Sequence, residues 1–191
     1  MDSRIIKTRR EIRNTFLDLL NEYPYDKISI KLLCEQAYIA RPTLYAHYQS
    51  IQNVLIDCVD NKLEKANVQN FFENFSENSF IQYFSLIRMN QRLIEVLFQN
   101  NVDGVLYHFN KKYLSKEGIL DIASFATRPD RDELTARFVT RLSAILYVSV
   151  SELVEGGFKG SDDEVAHTAF VLACRAIDSV LEGNDFPPIV D

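Results

Sequence analysis

Residues 28–55 of the chain read ISIKLLCEQAYIARPTLYAHYQSIQNVL, and this stretch decides the fold that the sequence predicts. Ile30, Leu33 and Ala37 recur at helical spacing, so a short helix here would bury one apolar face. Ser29 stands just before them, where its hydroxyl can cap the first free backbone N–H groups. The stretch therefore begins with a short amphipathic helix.

A second short helix is predicted after a tight turn at residues 38–40. It opens at Arg41 and Pro42, and proline is tolerated there because a first-turn N–H has no helical partner. Leu44 and Tyr48 are four residues apart and form the predicted buried side. The two helices together form a helical hairpin.

The other sides of the second helix carry polar groups of four kinds. Arg41, Thr43, Tyr45 and His47 supply a guanidinium, a hydroxyl, a phenol and an imidazole. Such groups suit hydrogen bonds to phosphates and to base edges in a major groove. Spacing alone leaves two interpretations open: a helix pair in an all-α domain with polar residues in water, or a DNA-binding surface.

The stretch resembles the DNA-binding segment of the tetracycline-repressor (TetR) family of bacterial regulators. The matching residues are Ile28-Ser29, Leu33, Ala37, Ile39 and the run Thr43-Leu44-Tyr45-Ala46-His47-Tyr48. The resemblance implies an all-α fold with an N-terminal three-helix helix-turn-helix head over residues 1–50. It also implies a helical body over residues 51–191 that binds a ligand and dimerises.

The resemblance further implies which side chains of the head contact DNA. Tyr45 and His47 would anchor the phosphate backbone, whereas Lys31, Arg41 and Thr43 would lie nearer to base edges. The basic first half of the first predicted helix has two open interpretations, a solvated face or phosphate contact by some of its residues. The predicted DNA-binding residues are Lys31, Arg41, Pro42, Thr43, Tyr45, His47, Arg4 and Lys7.

Three positions depart from the family's pattern. Tyr38 stands where the family usually has glycine, so the turn would need a non-glycine residue at positive φ, which is mildly strained. Ala40 replaces a frequent Ser or Thr, so the second helix lacks a side-chain cap. Ile51 replaces a frequent Lys, which removes one phosphate contact common in the family.

Composition agrees with a helical protein. The 191 residues are 47% hydrophobic with only six glycines and five prolines, and long alternating β-branched runs do not occur in the sequence. The three cysteines lie far apart without metal-ligand spacing, which predicts reduced packing residues in a soluble, cytoplasmic protein. The sequence has no signal-like apolar core and no apolar run long enough to span a membrane.

Charge is distributed unevenly along the chain. The whole sequence has 21 basic and 27 acidic residues, but residues 1–50 hold eight basic and six acidic ones, a net charge of +2. The remaining residues therefore carry −8. A basic N-terminal part on an acidic body is typical of a small DNA-binding head attached to a separate regulatory domain.

The body is predicted to consist of helices over residues 51–68, 79–99 (with a break near Asn90), 102–114, 130–155 and 161–182. Aromatic residues are concentrated between residues 79 and 147, and a mostly apolar pocket with a few polar groups is one explanation for them. Ordinary core packing is the other. The predicted ligand-binding residues are Tyr83, Phe84, Arg88, Tyr107, His108 and Tyr147, and they favour a small apolar or aromatic effector.

The last two helices are predicted to form the dimer interface. The final helix is apolar over a wide arc and must be buried on more than one side. It is either a central core helix or, as the resemblance implies, half of a four-helix interface with a second copy. The predicted dimerisation residues are Phe138, Leu142, Ile145, Ala169, Leu172, Ala173 and Ala176.

The sequence therefore predicts a homodimeric, ligand-responsive repressor that binds a pseudo-palindromic DNA operator. No Ser/His/Asp grouping, phosphate-binding glycine loop or HExxH motif occurs in the sequence, so neither an enzyme nor a cofactor nor a metal is expected. The alternatives are an activator, a regulator without a ligand, and a helical protein-interaction module.

Overall fold

A computed structural model describes residues 3–72, 75–115, 125 and 127–182 of the protein. Every regular element in this part of the chain is helical, as predicted, and a 3-10 turn at Tyr25–Lys27 joins the first two helices. The helices are α1 (Ser3–Glu22), α2 (Ile30–Gln36), α3 (Arg41–Tyr45), α4 (Ile51–Lys65), α5 (Val68–Phe71), α6 (Glu77–Met89), α7 (Gln91–Gln99), α8 (Gly104–Leu114), α9 (Arg131–Glu155) and α10 (Asp162–Leu181).

The first three helices form the head. Ile12 and Phe16 of α1, Leu33 of α2 and Leu44 of α3 are completely buried, so one apolar core joins all three helices. The Ser29 hydroxyl accepts a hydrogen bond from the backbone N–H of Leu32, which confirms the predicted cap of α2. The helical hairpin read from the sequence is thus correct.

The turn between α2 and α3 is a Schellman motif with tyrosine in the glycine position. The backbone N–H of Ile39 donates to the Cys34 carbonyl at 3.0 Å, and that of Tyr38 donates to the Glu35 carbonyl at 3.4 Å. Tyr38 has a φ of 52°, which confirms the predicted left-handed conformation. The turn is therefore closed by a non-glycine residue at the cost of backbone strain.

Helix α4 connects the head to the body. The Ser50 hydroxyl accepts from the Asn53 N–H and caps the helix as expected. The helix ends at Lys65 rather than near residue 68, because Asn67 takes a positive φ of 50° before the short helix α5 begins. Helix α4 packs on α1 of the head and on α7 and α8 of the body, so it touches both parts of the protein.

The body is built around α10, which packs against α6 and α9. Ala166, Ala169 and Ala173 are completely buried, and their small side chains allow close approach of those helices. The predicted break at Asn90 is confirmed, since α6 ends at Met89 and α7 begins at Gln91. The segment between the predicted helices at 102–114 and 130–155, which the sequence predicts to be a helix and a loop, lies largely outside the described residues, as does the tail after residue 182. Within the described part of the chain, no helix is both long enough and apolar enough to cross a membrane.

Candidate nucleic-acid interface

One face of α3 points outward and carries the polar side chains expected there. Arg41, Pro42, Thr43 and Tyr45 are all exposed, while Leu44 between them is completely buried. The apolar side chain holds the helix on the head and leaves its polar face available. Helix α3 has no side-chain cap at Ala40, in agreement with the sequence analysis.

Two further predicted residues of the interface come from the hairpin itself. His47 directly follows α3 and is partly exposed. Lys31 is exposed on the first turn of α2, where its ammonium group lies 3.9 Å from the Glu35 carboxylate. An exposed pair of this length is weak, so the Lys31 side chain remains available to a ligand.

The basic residues of α1 divide into two groups. Arg4, Lys7 and Arg10 are exposed, which fits the predicted phosphate contacts of Arg4 and Lys7. Arg9 and Arg13 instead turn toward α4, where both donate to the Asp57 carboxylate. The guanidinium groups of these two arginines already bind a carboxylate of the protein, so they favour neither of the two interpretations of a solvated face or phosphate contact.

Arg9, Arg13, Tyr48 and Asp57 together form what we call the Asp57 cluster. The Arg13 guanidinium donates to Asp57 Oδ2 at 2.8 Å, and the Tyr48 hydroxyl donates to the same oxygen at 2.5 Å. Arg9 donates to Asp57 Oδ1 and, at 3.3 Å, to the Tyr48 hydroxyl. The cluster thus connects α1, Tyr48 three residues after the end of α3, and α4.

The ionisation of the cluster follows from these contacts. Burial opposes the charged form of Asp57, but hydrogen bonds from Tyr48 and Arg13 and the charges of both arginines hold its pKa below the usual value. Burial and the hydrogen bond to Asp57 raise the pKa of Tyr48 to about 12. At neutral pH, Tyr48 is therefore a neutral donor and Asp57 a charged acceptor.

A second carboxylate of α4 faces the body. Asp60 accepts hydrogen bonds from the Lys112 ammonium at 2.9 and 3.0 Å and from the Tyr113 hydroxyl at 2.7 Å, both on α8. A polar groove of about 480 Å³ opens between the head and α8, beside both carboxylates. Neither aspartate was predicted from the sequence to be functional; the available signal was their position beside the buried stripe of α4.

The six predicted ligand-binding residues do not share a site. Tyr83 and Phe84 are completely buried, and the Tyr83 hydroxyl donates to Asn110 Oδ1 at 3.0 Å. His108 is exposed and Tyr107 partly so, while the Tyr147 hydroxyl donates to Asp103. These six side chains therefore do not form the pocket predicted from their aromatic character.

Arg88, the predicted cation of that pocket, is bound by groups of the protein itself. Its guanidinium donates to the Asp162 carboxylate at 2.6 Å and to the backbone carbonyls of Phe158 and Gly160 at 2.6 and 3.1 Å. These contacts tie α6 to the loop between α9 and α10. The side chain satisfies two backbone carbonyls of that loop as well as the carboxylate of the first residue of α10, which is a structural role.

Four of the seven predicted dimerisation residues lie in the core of the chain rather than on its surface. Phe138, Leu142, Ala169 and Ala173 are completely buried within one chain, so they cannot contact a second copy. The other three lie on the outer side of α9 and α10. There Ile145, Leu172 and Ala176, with Ala144 beside them, line an apolar surface groove of about 320 Å³.

The described residues hold no group of three or more His, Cys, Asp or Glu side chains placed to bind a metal ion. All three cysteines are free thiols; Cys34 and Cys58 are buried and Cys174 is partly exposed.

Solved structures of transcriptional regulators share this architecture. The dihydroxyacetone kinase operon activator DhaS has a TM-score of 0.56 and 18% identity, covering 91% of this chain and 97% of that one. A tetR-family transcriptional regulator from Streptomyces coelicolor has a TM-score of 0.51 and 13% identity, covering 98% of this chain and 94% of that one. No protein-family model matches the sequence, and neither does any curated protein. At these identities the likeness establishes the fold: the chain has the fold of the TetR-family transcriptional regulators.

Proposed function

We propose that the protein is a DNA-binding transcriptional regulator that acts as a homodimer on a pseudo-palindromic operator. The observation that carries this proposal is the exposed polar face of α3, in which Arg41, Thr43 and Tyr45 surround the buried Leu44. A short helix that buries a single leucine and exposes a guanidinium, a hydroxyl and a phenol has the chemistry of a recognition helix. The exposed basic residues of α1, which belongs to the same head, favour the approach of a phosphate backbone.

The side chains of this face would make two kinds of contact with DNA, to base edges and to phosphates. Arg41 can donate two hydrogen bonds to the O6 and N7 atoms of a guanine, and Thr43 can contact either a base edge or a methyl group. Tyr45 and the partly exposed His47 would hold phosphates, as would Lys7 on α1. Arg41 would therefore contribute to sequence preference and Tyr45 to affinity for any duplex.

The outer face of α9 and α10 supports the dimer. Val148 and Leu172 are 50% and 44% exposed, and Ile145 and Ala176 extend the same apolar face. Apolar side chains grouped on two neighbouring helices are stabilised when a second copy covers them. Two heads held by such an interface would reach successive major grooves of one DNA face, which lie about 34–36 Å apart.

We limit this proposal to DNA binding and dimerisation. The side chains predicted to bind an effector do not share a cavity, so no described contact favours a small-molecule ligand. Repression and activation both require the same DNA contacts. A reporter gene placed behind the bound sequence distinguishes them, because deleting the regulator raises expression from a repressed promoter and lowers it from an activated one.

The proposal is tested by selecting DNA with the full-length protein. The wild-type chain is incubated with a random-sequence duplex library, the bound fraction is enriched, and affinities for the enriched duplex and a scrambled duplex are measured. Arg41→Ala should weaken binding to the enriched duplex by roughly 5- to 150-fold with a smaller effect on the scrambled one. Tyr45→Phe should weaken binding to both duplexes about equally.

Arg131→Ala is the matched control, since it removes an exposed arginine from the start of α9 in the body. It changes the net charge by the same amount as Arg41→Ala and should leave both affinities unchanged. A wild-type protein that enriches no sequence would refute the proposal. Equal losses in the Arg41 and Arg131 variants would show that α3 is not the recognition helix.

A further inference from the structure

Asp57 of α4 is joined by hydrogen bonds to α1 and to Tyr48, which follows the recognition helix α3. Its carboxylate accepts hydrogen bonds from Arg9 and Arg13 on α1 and from Tyr48. Tyr48 is the last residue of what we call the recognition segment, residues 41–48, which contains α3. The Arg9 guanidinium also lies over the Tyr48 ring, 5.4 Å from its centre. All contacts of the cluster therefore involve the Asp57 carboxylate or a residue that is hydrogen-bonded to it.

The cluster is sheltered from water to a degree that makes its contacts strong. The side chains of Arg13 and Asp57 are only 13% and 15% exposed. Charge-assisted hydrogen bonds at such positions are stronger than surface ion pairs, and removing one partner leaves the others buried and unpaired. These directional contacts join Tyr48 to α4 in addition to apolar packing, which is not directional.

The position of Tyr48 connects this cluster to DNA recognition. Its ring is buried in the head, and its hydroxyl reaches Asp57 on the next helix. The residue lies one position after His47 and three after Tyr45, so a shift of Tyr48 moves the DNA-facing side chains with it. At a recognition site, a misplacement of about 1 Å is enough to lose hydrogen bonds to base edges.

We propose that Asp57 is a positioning residue for sequence-specific DNA binding: it holds the recognition helix at a fixed angle to α4 without touching DNA itself. This inference rests on the proposed function. It assigns to Arg9 and Arg13 the role of orienting the head rather than binding phosphate. It also separates affinity for a chosen sequence from affinity for DNA in general, since only the first depends on the angle of α3.

The substitution Asp57→Asn tests this separation because it keeps the shape of the side chain and removes its charge. Two arginines of the head then lose their carboxylate, which favours non-specific attraction to phosphates. Affinity for the duplex enriched by the wild-type protein should fall by roughly 2- to 30-fold. Affinity for the scrambled duplex should stay unchanged or rise, so the specificity ratio falls.

Two comparison variants give the result its meaning. Asp57→Glu restores a carboxylate and should recover part of the specificity ratio. Asp103→Asn removes a carboxylate that accepts a tyrosine hydroxyl within the body, so it changes net charge equally and should leave the ratio as in the wild type. Circular dichroism at the assay temperature establishes that each variant is folded. If Asp57→Asn does not fold, Tyr48→Phe removes one donor of the cluster and should lower the ratio in the same direction.

The possible outcomes are distinct. A lower ratio in Asp57→Asn with recovery in Asp57→Glu supports the positioning role. An unchanged ratio, or an equal loss of affinity for both duplexes as expected of simple unfolding, overturns it while leaving the proposed function intact. A wild-type protein that selects no sequence overturns both.

Discussion

Tyr38 offers a direct test of how the helix-turn-helix accommodates a non-glycine residue in its turn. The residue has a φ of 52°, yet its side chain is 95% exposed and so buries almost nothing in return for the strain. A left-handed conformation costs a residue with a Cβ atom about 1–2 kcal/mol. Glycine removes that cost but loses about 0.5–1 kcal/mol more chain entropy on folding than alanine. Tyr38→Gly should therefore be more stable than Tyr38→Ala by roughly 0.5–1 kcal/mol.

The comparison of glycine with alanine isolates the strain, because both substitutions remove the exposed phenol and only one keeps a Cβ atom. Urea denaturation followed by circular dichroism measures the free energy of unfolding of each variant, with equal slopes required for the comparison. The hydrogen bond from Ile39 to the Cys34 carbonyl should persist in both, since the Schellman motif does not depend on the side chain. An alanine variant at least as stable as the glycine variant would show that Tyr38 is not strained and would refute this reasoning.

Three further predictions follow from individual contacts. Leu172→Arg places a charge on the apolar outer face of α10 and should give folded monomers in sedimentation. The control Met89→Arg, at an exposed position of α6, should leave a dimer, and a monomeric wild-type protein would contradict the proposed dimer. Asn110→Leu alone should destabilise the protein by about 1–3 kcal/mol because it leaves the Tyr83 hydroxyl unpaired, and adding Tyr83→Phe should recover most of that loss in thermal unfolding; additive losses would argue against the pair. The pKa of Asp57 is held below its ordinary value of 3.8, so the charged carboxylate stabilises the fold above that pH and loses this effect as the pH falls through the lower pKa. The difference in the free energy of unfolding between the wild type and Asp57→Asn should therefore shrink only below pH 3.8. A difference that already shrinks at neutral pH would contradict the charged cluster.

Local features of the head could be predicted from the sequence because they depend on neighbouring residues. The Ser29 cap, the burial of Leu44 and Tyr48 and the positive φ of Tyr38 all follow from short-range spacing and turn chemistry. The break at Asn90 belongs to the same class. Each of these features is decided within one or two helical turns, where sequence patterns carry the most information.

The roles of the charged residues could not be predicted in the same way. Arg9 and Arg13 find their partner Asp57 more than forty positions along the chain, and helical periodicity contains no information about that pairing. One signal was present: both arginines extend the stripe of Ile12 and Phe16 on α1, so they point toward the core rather than toward solvent. Arginine at the end of an apolar stripe indicates a buried ion pair as well as a phosphate contact.

Four of the predicted dimerisation residues lie in the core because α9 and α10 are apolar on two sides. The spacing of Phe138 and Leu142 identified a real apolar face, but it packs inside one chain. Small side chains such as Ala169 and Ala173 mark the close approach of α10 to its neighbours in the same chain. The exposed Leu172 is the informative residue, since a large aliphatic side chain among small ones on a core helix faces away from that packing.

The two carboxylates of α4 differ in how firmly they hold their partners. Arg13 and Asp57 are 13% and 15% exposed, whereas Lys112 and Asp60 are 52% and 28% exposed. Water weakens the Lys112 contact more than the hydrogen bond from Tyr113, whose side chain is buried. The attachment of α4 to the head combines three donors in a sheltered site and is the stronger of the two. If the head changes its orientation relative to the body, α4 will therefore move with the head and the contacts of Asp60 will break first. The first turns of α4 belong mechanically with the helix-turn-helix, although the sequence places the domain boundary at residue 50.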